Sequence, residues 1–172
     1  NTIMKFKGKE FCDKPSLEVL TKCIWEMKLD ISSRKMFDYY EERNWMSRKG
    51  YSIINLDSLI AGVNKNCPNL IRNEGDLREE YAILLKCEEW KRFVKKVHEQ
   101  YKNQCQKCHK KERLEVHHPK YYHKHNYRDI PAKLPWEYDI NEVMLLCHEC
   151  HEKEHKVCGY SEHSKLSGYD GC

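Results

Sequence analysis

The sequence predicts a small α+β protein, mostly helical, with a strand–strand–helix core towards its C-terminus and a small all-α module before it. Three observations carry that reading. Apolar residues recur at helical spacing through residues 17–27, 36–40, 56–63 and 77–101. Two short apolar or β-branched runs, 113–118 and 143–146, interrupt this pattern as strands. Two Cys-x-x-Cys pairs, Cys105/Cys108 and Cys147/Cys150, bracket the strands, and the second pair runs into His151-x-x-x-His155.

The N-terminal elements follow in order. Residues 1–10 are polar and Lys-rich and predict a frayed lead-in. A helix is expected from about Asp13, with Pro15 just inside it and Leu17, Leu20, Ile24 and Met27 as its stripe. Ser32 or Ser33 can cap a second helix with Met36, Phe37, Tyr40 and Trp45 on its apolar side, ended by Gly50. Leu56, Leu59, Ile60 and Val63 make a third, which stops before Cys67-Pro68. These three helices form a module over residues 11–66, too small to be very stable alone. Residues 67–75 carry turn and breaker residues and read as a linker.

The rest, residues 76–157, reads as a second domain. Leu77, Tyr81, Leu84 and Leu85, then Trp90, Phe93, Val94, Val97 and Tyr101, predict two helices or one kinked near Cys87. The first strand then carries Leu114-Glu115-Val116-His117-His118. Pro119, Pro131 and Pro135 deny regular structure to a long loop over 119–140. A second strand and a helix from His148 to about Val157 complete the domain, with Gly159 as a stop and a flexible tail over 158–172.

Composition bounds the function. At 34% charged residues and a mean hydropathy of -0.91, the 172-residue chain has no apolar run long enough to span a membrane. No charged-then-apolar leader opens it, so a cytoplasmic location is expected. The net charge of +4 hides an asymmetry: residues 91–128 carry 12 basic and 3 acidic side chains, whereas residues 129–155 carry 2 and 7. The basic block includes Lys91, Arg92, Lys95, Lys96, Lys110, Lys111, Arg113, Lys120, Lys124 and Arg128, interleaved later with Tyr121, Tyr122 and Tyr127. Such a patch suits a polyphosphate partner, DNA above all.

Eight of the ten histidines lie within or beside the span of the two CxxC pairs, which favours metal binding over a disulfide framework. Cys105, Cys108, Cys147 and Cys150 fit a tetrahedral structural Zn2+, whose binding is worth roughly 10–16 kcal/mol in small zinc peptides. Cys12, Cys23, Cys67, Cys87, Cys158 and Cys172 lack metal spacing. On a helix His151 and His155 share a face, while Cys150 lies about 100° away from His151. One tetrahedral centre cannot use both Cys150 and His155, so the spacing asks for two ions. His117 and His118 point to opposite sides of a strand, so only one faces a given ion and the other is free for chemistry.

These residues resemble the HNH endonucleases of ββα-metal type with a four-cysteine zinc. The likeness rests on Cys105-x-x-Cys108, Glu115-Val116-His117-His118 and Leu146-Cys147-x-x-Cys150-His151-x-x-x-His155, with Glu89-Trp90-Lys91 and Pro135-Trp136-Glu137-Tyr138 beside them. It covers about residues 77–156. The resemblance implies metal-dependent hydrolysis of DNA phosphodiesters to 5′-phosphate and 3′-hydroxyl ends. It implies His118 as general base and His117, His151 and His155 as ligands of a second divalent ion, Mn2+, Ni2+, Co2+, Zn2+ or Mg2+. The family's middle Asn, which orients the base, is assigned to Asn141, with Asn126 as the alternative; Asn141 stands one position off the expected spacing and Glu142 occupies the usual place.

Residues 11–66 resemble a helical segment of phage replication proteins, through Lys14-Pro15-Ser16-Leu17-Glu18, Phe37-Asp38-Tyr39-Tyr40-Glu41, Asn44-Trp45 and the stretch 50–60. That likeness implies a phage or bacterial setting and a replication or packaging protein as partner. Two other functions fit the same residues: a zinc-ribbon DNA-binding module without catalysis, and a packaging or replication accessory.

Overall fold

The computed structural model describes residues 3–10, 14–119 and 133–157. It is a small α+β structure of six α-helices and two separate two-stranded antiparallel sheets among these residues. The described residues divide into two compact units, one over the described part of 1–87 with 133–135 and the other over 88–119 with 136–157. Among the described residues no helix is long and apolar enough to cross a membrane.

In the first unit, Lys5–Phe6 (β1) and Lys9–Glu10 (β2) pair as a hairpin turning at Gly8, whose φ of 77° a side chain would oppose. Met4 and Phe6 are buried, so this segment is anchored in the core where a frayed lead-in was expected. Then come α1 (Leu17–Glu26), α2 (Ser33–Glu41) and α3 (Leu56–Asn66), with N-caps Ser16, Ser32 and Asn55 each accepting a backbone N–H. The first helix therefore starts at Ser16 rather than near Asp13, which lies outside the described residues. The second ends at Glu41, well before Gly50. Asn44 and Trp45 turn the chain with φ of 49° and 55°, and the indole packs on Tyr40 with ring centroids 5.7 Å apart. Leu20, Ile24, Ile31, Met36, Leu56 and Ile60 are fully or almost fully buried together.

The expected linker over 67–75 is instead part of this unit. Pro68–Leu70 is a 3-10 turn, and α4 (Glu74–Leu84) follows from a capping box between Asn73 and Asp76. The breaker residues mark a helix start, not a domain boundary, which falls at Cys87. Its position is explained by a buried charge pair invisible to periodicity. Glu80 on α4 accepts from Trp25 Nε1 of α1 at 2.7 Å and from the Ser33 backbone N–H of α2 at 2.6 Å. Arg72 Nε lies 2.8 Å from Glu80, and its Cζ lies 5.5 Å from the Trp25 ring. Burial pushes the Glu80 carboxyl up, against the pull of Arg72 and of these hydrogen bonds.

The second unit holds α5 (Glu88–Gln100), β3 (Leu114–His117), β4 (Met144–Cys147) and α6 (His148–Val157). Phe93 and Val97 of α5 pack with Tyr138, Val143 and Leu145, bordered by Trp90, Leu114 and Val116. Tyr101 caps this core by donating to Ile140 O at 3.0 Å. β3 and β4 are antiparallel, with Leu114 opposite Cys147 and His117 opposite Met144. The ladder is thereby registered so that its end delivers β4 directly into α6. Of the predicted long loop, 120–132 lies outside the described residues, and Ile140–Glu142 is a 3-10 turn.

Both members of the Arg72–Glu80 pair are buried, so breaking it leaves a charge without its partner. Arg72→Ala is expected to cost about 3–5 kcal/mol in chemical denaturation. A loss below about 1 kcal/mol would show that the pair does not hold α1, α2 and α4 together.

Candidate metal centres

Strand alternation builds the site. Leu114 and Val116 of β3 turn into the Phe93 core, so Glu115 and His117 share the other face, towards α6. There His117 meets His151 and His155, with ring centroids 5.0 Å and 5.1 Å away. One ring nitrogen from each of the three lies within 4.8 Å of the others. His151 Nε2 and His155 Nε2 approach to 3.1 Å, close to the roughly 3.3 Å edge of a tetrahedron with zinc–nitrogen bonds of about 2.0–2.1 Å.

The residues fit an ion by their unmet needs. Both ring nitrogens of His117 are buried and have no hydrogen-bond partner among the described residues. Such orphaned polar atoms are costly unless something else satisfies them. Burial pushes the His117 imidazole down to about 4, aided by the neighbouring His151 and His155, so it stays neutral and keeps a lone pair to donate. Burial also lowers His155. Three imidazole nitrogen donors suit a transition ion better than Mg2+.

Glu115 completes this cluster. Its carboxylate meets His151 Nδ1 at 2.6 Å and His148 Nδ1 at 2.9 Å. The hydrogen bond from His151 dominates in holding Glu115 down to about 2, with His148 adding to it and partial burial opposing it. With Nδ1 donating to Glu115, His151 presents the bare Nε2 to the centre, an arrangement that orients metal-binding histidines. The sequence reading gave neither Glu115 nor His148 a role. The signal was there: Glu115 is two before His117 on one strand face, and His148 is three before His151 on one helix face.

The four cysteines form a separate group. Sγ atoms of Cys105, Cys108, Cys147 and Cys150 also lie within 4.8 Å of one another and can hold a zinc ion, with Cys108 and Cys147 at 3.4 Å. Among the described residues the cysteines remain thiols. The 105–110 turn is shaped by Cys105 N–H donating to Lys110 O and His109 N–H to Cys105 O, with His109 at φ 64°. Gln106 ties the turn to β4 through Leu145, by both backbone and side chain. Burial raises the Cys105 thiol, but backbone N–H groups around it outweigh this and bring it below the ordinary value. For Cys147, the Cys150 backbone N–H pulls down, but burial, Glu149 and the neighbouring thiols prevail and raise it. Four thiols this close cannot all ionise without a cation among them.

His118 lies just past β3 and is buried at 2% exposure, away from the His117 face. Trp90 stacks on it at 5.5 Å and Tyr138 at 4.5 Å. Asn141 is exposed on the 140–142 turn, where its amide donates to Asp139 at 3.2 Å. The structure gives it no contact with His118, so this geometry does not support Asn141 as the residue that orients the base. Asn126 lies outside the described residues.

Lys91, Arg92, Lys95 and Lys96 form an exposed face of α5 opposite Phe93 and Val97. Lys110, Lys111 and Arg113 are exposed too, with Lys110 paired to Glu149 at 3.2 Å. Lys120, Lys124 and Arg128 lie outside the described residues.

Glu115→Gln is expected to weaken metal binding at the three imidazoles by about 10–100-fold in a chelator competition, leaving the cysteine-bound ion in place. Unchanged affinity would remove Glu115 from the site. With the imidazoles metal-free, pH has a definite sign. His117 is depressed from 6.5 to about 4, so its contribution is present above 6.5 and lost as pH falls towards 4. Melting temperatures should fall across that window, and less steeply in His117→Gln. Comparison with protein-family models, with curated proteins and with solved structures finds no match for this chain.

Proposed function

We propose that this protein is a metal-dependent endonuclease of the HNH type that hydrolyses DNA phosphodiester bonds. The observation that supports the reading most is the convergence of His117, His151 and His155, one strand residue and two from the following helix, beside a separate four-cysteine group. In this reading the cysteines hold a structural zinc and the three imidazoles hold the working ion. A divalent ion there supplies Lewis-acid stabilisation of the phosphate oxygens.

The chain's own groups do the rest. His118 takes the proton from the attacking water, as an imidazole can near neutrality. Glu115 keeps His151 in its ligand tautomer. The cationic face of α5 attracts the phosphodiester backbone, so binding weakens with salt. Because Trp90 and Tyr138 cover His118, the reading includes a movement of one of these rings when substrate binds.

That same cover favours a second reading, a DNA-binding zinc module in which both ions are structural. A third function, a replication or packaging accessory, keeps the first unit as the docking part.

Plasmid nicking by the Mn2+- or Ni2+-loaded protein separates these. His118→Ala is expected to lower the nicking rate by about 10²-fold or more while both ions stay bound and the protein stays folded, with some loss of melting temperature from the emptied space under Trp90 and Tyr138. Absence of cleavage of any DNA by the wild-type protein, with both ions bound, would sink the nuclease reading and leave the binding module.

A further inference from the structure

The first unit contains a cleft of about 480 Å³ that the metal centres do not use. Its floor is one face of α3, where Leu59, Gly62, Val63 and Asn66 follow at i, i+3, i+4 and i+7. Its walls are the end of α2 and the turn after Trp45. Among the described residues no carboxylate lines it, but two arginines do. Tyr39 holds one of them. The Arg43 guanidinium lies 3.9 Å over the Tyr39 ring and donates to its backbone oxygen at 2.9 Å. Arg48 lines the cleft beside the same tyrosine. Among the described residues, the acid beside them is exposed Glu42, 3.7 Å from Arg43, a distance at which a surface pair is worth little. A guanidinium already held by an aromatic ring loses less freedom when its fork takes an oxyanion.

Gly62 is the second observation. It sits inside α3, where glycine costs about 1 kcal/mol relative to alanine. Its φ is not in the left-handed region, and a Cβ there would meet nothing within 4 Å. Neither backbone conformation nor packing requires glycine at this position. What its missing side chain preserves is a flat place on the cleft floor, between Leu59 and Val63. Thus one end of the cleft offers two cations, one of them held by Tyr39, and the other a flat apolar surface edged by the Asn66 amide.

We infer that this cleft binds a nucleotide, with its phosphate on Arg43 and Arg48 and its planar base over Gly62. An acidic peptide would satisfy the arginines but leaves the flat floor without a use. The site is independent of the nuclease reading, because every residue in it belongs to the first unit.

The test is an amide NMR titration of the full-length, isotope-labelled protein with thymidine monophosphate, a hexathymidylate strand, inorganic phosphate and a hexaglutamate peptide. Both thymidine ligands should shift amides at 43–48 and 58–66. Arg43→Gln with Arg48→Gln, and separately Gly62→Leu, should weaken this binding at least about tenfold with the melting temperature retained. Gly62→Ala, a better helix former, checks that the helix tolerates a side chain there. Comparable affinity for both ligands supports a free nucleotide; a strand bound at least about tenfold more tightly supports a nucleotide within a chain. The inference is overturned if those amides do not shift at millimolar ligand, or if the arginine variant binds as the wild type does. It is equally overturned if inorganic phosphate or hexaglutamate binds as tightly as the monophosphate.

Discussion

Crowding of metal-loving groups that cannot share a small volume unaided is the constraint on which the second unit depends. Four thiols gather at one end of a four-residue ladder and three imidazoles at the other. Like groups at these distances raise each other's cost of ionising or leave buried nitrogens unpaired, and the apolar core beside them is modest. Small domains usually need a staple where the core falls short. A cation in each cluster would answer both needs, satisfying the donors and closing the ladder against α6.

The first unit meets a similar problem without metal. Its buried Arg72 and Glu80 compensate one another, and Trp25 and Ser33 supply the carboxylate's hydrogen bonds. Pairs of this kind contribute less to net stability than to fixing which elements meet, since one misplaced partner leaves a bare charge. Here they bring α4 to α1 and α2. The same unit carries the cleft lined by Tyr39, Arg43 and Arg48.

Most helices were legible because their apolar stripes repeat at the helical period. Leu20 with Ile24, Leu56 with Ile60, and Phe93 with Val97 are buried as those stripes require. The misreadings share a cause. Met4 and Phe6 are too few to show a period, and Trp45 enters the core from a left-handed turn instead of from a helix. Residues 67–75 have the composition of a linker, yet Asn73 and Asp76 there form a capping box. Local composition reports breakers but not whether they separate domains or start helices.

At the candidate site, sequence spacing alone separated the two ligand sets. The helix step parts Cys150 from His151 and aligns His151 with His155, and strand alternation parts His117 from His118; these periods are local and need no tertiary information. Tertiary structure alone decided what surrounds each group. It brought Glu115 under His151 and His148, placed Trp90 and Tyr138 over His118, and left Asn141 with Asp139. Those contacts depend on how α5, the 136–142 segment and α6 close around one ladder, and covalent neighbours along the chain carry no record of that closure.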